Sequence, residues 1–183
     1  MGTQILFVQG AGENVHEGWD RKLVESLERE LGSAVRVRYP RMPGEAHPEY
    51  AAWKAALERE LASLEAGAIL VGHSVGGTML VHTLSAQTSP IRAAALVLLA
   101  APYIGTGGWP SDDLEPNVDF DARLPAALPV FLYHGTDDDT VPSAHVQLYA
   151  RALPRATVRL LDGRDHQLNN DLADVARDLR ALL

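Results

Sequence analysis

Short apolar runs alternate along the chain with longer segments whose apolar residues recur at helical spacing. Strand-like runs lie at residues 5–9, 34–39, 68–71, 94–100, 130–133 and 157–161. Helical patterns lie at residues 19–31, 50–65, 75–86, 143–152 and 171–182. This alternation predicts an α/β fold, with a mostly parallel sheet of about six strands and helices on both faces.

One segment interrupts the alternation. Residues 103–129 are rich in Gly, Pro and Asp and are too long for an ordinary connection. We interpret the segment as a small lid or rim insertion within one domain that spans 1–183, against the alternative of an inert surface excursion. Ligands of such sheets bind beyond the carboxyl ends of the strands.

The composition excludes several classes of site and partner. The chain has no cysteine, which rules out disulfides, thiolate metal sites and a cysteine nucleophile. Its net charge of -8 opposes binding to phosphate backbones, so we expect no nucleic-acid partner. Because no apolar run approaches the ~20 residues of a membrane helix and no basic leader precedes the first strand, we expect a cytoplasmic protein without a membrane partner. The sequence indicates no oligomeric state.

The strongest chemical signal is the pentapeptide G-H-S-V-G at residues 72–76, which matches G-x-S-x-G. It stands between a predicted strand and a predicted helix, the context of a nucleophile elbow. The turn is so sharp that side chains at Gly72 or Gly76 would clash. The turn raises the hydroxyl of Ser74 above the sheet, and the helix N-terminus favours a developing oxyanion. We therefore assign Ser74 as a nucleophile.

A serine nucleophile needs a base to take its proton, and in elbow sites the base comes last in the chain. Four histidines follow Ser74. His82 and His145 lie in predicted helices, and His134 ends a strand, where we interpret it as a hydrogen-bonding residue. His166 lies in the loop between the last strand and the last helix, so we assign it as the base.

An acid must orient that histidine. Three adjacent aspartates, Asp137, Asp138 and Asp139, follow the penultimate strand. Three neighbouring carboxylates are not all desolvated cheaply, so at least one should face solvent. These considerations leave the choice among the three open.

An oxyanion hole needs two backbone N–H donors. We assign one to Val75, the residue after the nucleophile, and the other to Ala11 in the loop after the first strand. Gly10 and Gly12 let that loop approach the substrate and are candidate substrate-binding residues. The same loop is close to a dinucleotide fingerprint, but Val15 replaces its third glycine and no acid ends the second strand, which argues against a nucleotide cofactor.

Together, G-H-S-V-G-G at 72–77, H-G-x-x-D-x-x-V-P at 134–142 and His166 resemble the α/β-hydrolase superfamily. More narrowly, the chain resembles its small members related to retinoblastoma-binding protein 9 and the YdeN-like hydrolases. In the superfamily the acid stands three residues before the Val of the Val-Pro pair, which implies Asp138. The resemblance thus implies a Ser74–His166–Asp138 triad and neither a metal nor an organic cofactor.

The constellation predicts a carboxylic ester hydrolase that acts on small acyl substrates, with esters, thioesters and small amides all possible. His73 and Trp109 are further candidates for substrate binding. His16, Trp19 and Tyr103 are candidates for the rim of the pocket.

Two other functions use the same residues. The chain could be a binding or interaction protein on a hydrolase scaffold with an idle triad, because a fold does not fix a function. The site could also serve acyl transfer or a cofactor-free lyase reaction. Haloalkane dehalogenation would want Asp in place of Ser74 and is set aside.

Overall fold

A computed structural model of the protein describes residues 2–88 and 92–183. Its strands are β1 (Thr3–Val8), β2 (Val35–Arg38), β3 (Ile69–His73), β4 (Ala95–Leu99), β5 (Val130–Gly135) and β6 (Thr157–Leu161). They form one sheet in the order β2-β1-β3-β4-β5-β6, and every neighbouring pair is parallel. The predicted α/β class and the parallel sheet are confirmed.

The α-helices are α1 (Asp20–Leu31), α2 (Tyr50–Ala62), α3 (Val75–Ser85), α4 (Phe120–Arg123), α5 (Ala144–Ala152) and α6 (Ala173–Arg180). Shorter turns of π or 3-10 helix occupy Val15–Trp19, Gly32–Ala34 and Leu168–Asn170. The sequence pattern predicted the long helices and missed the short α4, because four residues carry no measurable period. None of the described helices has the length and hydrophobicity that crossing a membrane requires.

The central strands β1, β3, β4 and β5 are largely buried on both faces, and successive residues of a strand point to opposite sides. In β1, Leu6 and Val8 belong to the core that packs against α2, α3 and α5. Ile5 and Phe7 belong to the core on the other face, with α1 and α6. This two-sided burial explains why the strands read as nearly continuous apolar runs.

The 103–129 segment is anchored in the first of these two cores. Its buried side chains are Tyr103, Ile104, Leu114, Val118, Phe120 and Leu124. A segment held at six points by buried side chains has few conformations open to it. It wraps over the sheet face that α3 and α5 cover.

Candidate active site

The nucleophile elbow lies between β3 and α3. Ser74 has φ 51° and ψ -131°, a combination that L-residues rarely adopt. The Ser74 amide donates to the carbonyl of Leu99 at 2.8 Å, and the Ser74 carbonyl accepts from the amide of Gly77 at 2.9 Å. Backbone bonds on both sides therefore hold a strained residue in place.

Two glycines make the elbow possible. A Cβ atom on Gly72 would lie 2.5 Å from the Cα atom of Gly77. A Cβ atom on Gly76 would lie 1.9 Å from the carbonyl oxygen of Gln9. The predicted clash at both positions is confirmed, since neither distance leaves room for a side chain.

The three candidate catalytic side chains lie in one line of hydrogen bonds. His166, in the loop after β6, has its Nε2 atom 3.0 Å from Oγ of Ser74. Its Nδ1 atom lies 2.8 Å from Oδ2 of Asp138, in the loop after β5. An Nδ1–H that donates to the carboxylate leaves Nε2 free to accept the serine proton, which is the tautomer that a general base needs.

Burial distinguishes Asp138 from its neighbours. Asp138 is buried, whereas Asp137 and Asp139 are exposed. Its Oδ1 atom accepts from the amides of Thr140 at 2.9 Å and Val141 at 2.8 Å.

The same surroundings keep Asp138 ionised. Burial raises the pKa of Asp138, but the hydrogen bonds from His134, His166 and the amide of Val141 outweigh burial and hold the pKa well below its ordinary value. A permanent negative charge therefore lies beside Nδ1 of His166.

His134 holds the acid from a second side. Its Nε2 atom lies 3.1 Å from Oδ2 of Asp138 and 2.8 Å from the carbonyl oxygen of Val141. The imidazole is almost completely buried. This arrangement agrees with the interpretation of His134 as a hydrogen-bonding residue at the end of a strand.

The acid and base loops approach each other at Gly135. A Cβ atom on Gly135 would lie 2.0 Å from the carbonyl oxygen of Arg164. That carbonyl also accepts from the amide of Asp137 at 3.0 Å. Gly135 thus allows the loops that carry Asp138 and His166 to pack against each other.

The loop after β1 contains three candidate oxyanion donors, and two of them are occupied. The amide of Gly10 donates to Oδ2 of Asp20 at 2.7 Å, and the amide of Gly12 donates to the carbonyl of Glu45 at 2.7 Å. Within residues 2–88 and 92–183, the amide of Ala11 has no hydrogen-bond acceptor. Ala11 therefore has the available donor of this loop.

Val75 has the second candidate donor. It is the first residue of α3, and N–H groups in the first turn of a helix have no acceptor within the helix. The positive end of the helix dipole adds to the attraction for an anion there.

A second carboxylate–histidine pair lies beneath the elbow. The Nδ1 atom of His73 is 3.0 Å from Oδ2 of Asp20, and its Nε2 atom is 3.0 Å from the carbonyl oxygen of His166. His73 is 1% exposed and Asp20 is 0% exposed. Both ring nitrogens of the imidazole therefore have a partner within the protein. The role of His73 in substrate binding stays a prediction.

The charges of this pair stabilise each other. Burial lowers the pKa of His73, but the Asp20 carboxylate outweighs burial and leaves the pKa above its ordinary value. Burial raises the pKa of Asp20, but His73 and the Gly10 amide outweigh it and leave that pKa below its ordinary value. No local pattern predicts this pair, because its members are 53 positions apart in the chain.

The residues predicted for the rim of the pocket or for substrate binding differ in how exposed their side chains are. Trp19 is 54% exposed, whereas His16 and Tyr103 are buried. Trp109 is half-buried, with its ring edge-on to His145 at 5.6 Å. The role of Trp109 in substrate binding stays a prediction.

Two cavities of the described chain lie away from the three candidate catalytic side chains. One of about 700 Å³ lies between the ends of α2 and α3, and one of about 650 Å³ lies beside Tyr103 and Arg151. Neither has Ser74, Asp138 or His166 in its lining, so neither is a candidate for the acyl pocket. In the described ranges, no group of three His, Asp or Glu side chains is arranged to hold a metal ion.

Comparison with known proteins places the sequence beside one family. The sequence profile of the family described as serine hydrolase matches residues 5–170. The comparison with curated proteins found no match.

Solved structures share the fold across almost the whole chain. An esterase from a Rhodococcus species has a TM-score of 0.75 at 17% identity, over 98% of this chain and 90% of that one. A meta-cleavage product hydrolase from Pseudomonas fluorescens has a TM-score of 0.75 at 16% identity, over 99% and 90%. A putative YdeN-like hydrolase from Pectobacterium atrosepticum has a TM-score of 0.65 at 18% identity, over 99% and 90%.

Proposed function

The chain belongs to the serine hydrolase family and has the α/β-hydrolase fold that its motifs predicted, and on this basis we propose that it hydrolyses carboxylic esters of small acyl groups. The observation that carries the proposal is the line of contacts from Ser74 through His166 to Asp138, with distances of 3.0 and 2.8 Å. A strained serine beside a correctly oriented imidazole and a buried carboxylate is the arrangement that activates a hydroxyl.

In the first half of the proposed reaction, Oγ of Ser74 attacks the ester carbonyl carbon while Nε2 of His166 takes the hydroxyl proton. The N–H groups of Ala11 and Val75 stabilise the negative charge that develops on the carbonyl oxygen. Asp138 stays ionised and stabilises the imidazolium. His166 then gives its proton to the leaving alcohol, and the acyl group remains on Ser74.

In the second half, a water molecule replaces the alcohol. His166 takes a proton from the water as its oxygen attacks the acyl carbon, and the same two amides hold the oxyanion. Collapse of this intermediate breaks the bond to Ser74, whose oxygen regains the proton from His166. The carboxylic acid leaves, and the enzyme returns to its starting state.

Ester and thioester carbonyls suit this site better than amides, because an alkoxide or thiolate needs less help from His166 to leave than an amine does. The esterase among the structural neighbours supports this choice. We assign the 103–129 segment to the rim of the site, since its buried side chains favour a fixed wall over a swinging lid. Exposed Trp19 is the rim residue with free surface for an acyl or alcohol group.

Labelling with a fluorophosphonate probe, read by intact mass, tests the proposal. Wild type should gain one adduct, and Ser74→Ala should gain none. Ser85→Ala is a matched control, since Ser85 is 8% exposed like Ser74 and is the last residue of α3, where its hydroxyl donates to a backbone carbonyl. This variant should label like wild type.

A p-nitrophenyl ester series of rising acyl length would then define the substrate range. The proposal expects turnover that Ser74→Ala and His166→Ala abolish. No adduct on folded wild type would contradict the proposal and favour the idle-scaffold alternative.

A further inference from the structure

The mechanism above leaves one buried ionisable pair without a role. Asp20, the first residue of α1, and His73, the last residue of β3, are both almost completely buried and lie 3.0 Å apart. A buried ion pair costs more in desolvation than an apolar pair of the same size, so its presence needs a reason besides packing.

The pair contacts three of the four backbone segments that build the site, all but the loop that carries Asp138. Asp20 accepts from the Gly10 amide at 2.7 Å through Oδ2 and from Nε2 of Gln167 at 3.2 Å through Oδ1. His73 precedes the nucleophile directly, and its Nε2 atom lies 3.0 Å from the carbonyl oxygen of His166. The oxyanion loop, the elbow and the base loop therefore meet at two side chains.

The geometry also fixes the proton count of the imidazole. The Nδ1 atom of His73 faces a carboxylate oxygen of Asp20, and its Nε2 atom faces the carbonyl oxygen of His166. The carbonyl oxygen can only accept, and so can the carboxylate because Asp20 is ionised, so both ring nitrogens carry a proton. The charged or titratable groups around this imidazolium are Asp20 from α1, and His166 and Asp138 from the two catalytic loops.

We propose that Asp20 and His73 form an ionised positioning pair, which holds the Gly10–Ala11 backbone and the His166 backbone in register with Ser74. The inference rests on the proposed function. Neither side chain touches the substrate. Asp20 holds the amide before Ala11, so that the Ala11 N–H points at the oxyanion. His73 holds His166 by its backbone carbonyl while the ring of His166 bridges Ser74 and Asp138.

Kinetics of Asp20→Asn and His73→Gln test the positioning role. A misplacement of about 1 Å in a catalytic group can cost ~100-fold in rate, so we expect kcat to fall by about 10- to 100-fold. KM should stay within about threefold, because the lost interaction acts on the transition state.

Ser26→Ala is the matched control for these two variants. Ser26 is also buried in α1 and also accepts a backbone amide from a distant loop, that of Leu172 at 3.0 Å. Its loss should lower stability and leave kcat unchanged. If Asp20→Asn and His73→Gln fold and keep the wild-type kcat, as Ser26→Ala should, the pair is merely structural and the proposal is overturned.

If the variants fail to fold, a measurement on the wild-type protein tests whether His73 is charged. Ring-nitrogen NMR at about pH 8, above the ordinary histidine pKa, should show His73 with two N–H protons. A single N–H on His73 would overturn the proposal. This result does not depend on turnover, so it is separate from the fluorophosphonate test of Ser74.

Discussion

The carbonyl oxygen of Gln9 lies 1.9 Å from the point where a Cβ atom on Gly76 would be placed. This contact presses the first turn of α3 against the end of β1. Ala11 lies two residues after Gln9, and Val75 directly precedes Gly76. The close approach of Gln9 and Gly76 therefore limits the distance between these two candidate oxyanion donors.

Gly76→Ala should consequently destabilise the fold and the site together. The new methyl group must push the β1 loop or α3 aside, which should cost about 3 kcal/mol. Gly32→Ala is the control, because Gly32 has φ +57° but nothing within 4 Å of a Cβ atom, so we expect a cost of about 1 kcal/mol. Urea unfolding followed by circular dichroism measures both, and equal costs would show that the contact with Gln9 is not tight.

Asp138→Asn should lower kcat by about 10⁴-fold, because the amide keeps the shape of the acid but no longer fixes the tautomer of His166 or balances its charge. Asp137→Asn and Asp139→Asn change exposed side chains and should leave kcat within about twofold. Saturation kinetics with a p-nitrophenyl ester compares the three. A crippled Asp137→Asn enzyme beside an active Asp138→Asn enzyme would reassign the acid.

Replacing Ala11 by its α-hydroxy analogue, lactate, removes the backbone N–H without changing the side chain. If that N–H holds the oxyanion, kcat should fall by about 10²- to 10³-fold. The same exchange at Gly12 removes the hydrogen bond to the Glu45 carbonyl, which should cost about 1 kcal/mol of stability and little activity. Single-turnover acylation rates measure the effect, and a wild-type rate for the Ala11 analogue would place the donor elsewhere.

His82 should make the fold sensitive to mild acid. Burial lowers its pKa to about 4 in the folded protein, from an ordinary value of 6.5 in the unfolded chain. Between these values the unfolded chain binds more protons, so stability falls as pH falls from 6.5 to 4, by up to roughly 3 kcal/mol in total.

The variant His82→Gln should lose this part of the pH dependence. His82 packs in α3 with its ring edge-on to Phe120 at 5.2 Å, and its Nε2 atom is buried without a partner in the described ranges. The unfolding free energy of wild type minus that of His82→Gln, measured in urea at pH values across that window, should rise by up to roughly 3 kcal/mol from pH 4 to pH 6.5. A difference that stays constant with pH would contradict the prediction.

Local patterns predicted the features that depend on neighbouring residues. The apolar runs specified the strands, and the spacing of Gly72 and Gly76 around Ser74 specified the elbow, because sharp turns have strict steric requirements. The place of His166 after the last strand predicts that it is the base, and it lies within hydrogen-bonding distance of Ser74.

Contacts between residues that are far apart in the chain could not be predicted from the local sequence pattern. The three aspartates at 137–139 look alike in sequence, and only tertiary packing buries Asp138 and exposes its neighbours. Asp20 reads as an ordinary acidic residue at a helix start, where it needs no partner. Its pairing with His73 depends on how α1 docks beneath β3, which no local period encodes.

The order of the sheet has a consequence for how the protein matures. β6 forms an edge of the sheet and pairs with β5, and the loop that follows β6 carries His166. Ser74 and His166 are 92 positions apart in the chain. Contacts of such long sequence separation form slowly in folding, because a large loop must close before they stabilise the chain. During synthesis Ser74 therefore emerges well before His166, and the proposed base can reach Ser74 only after β6 has paired with β5.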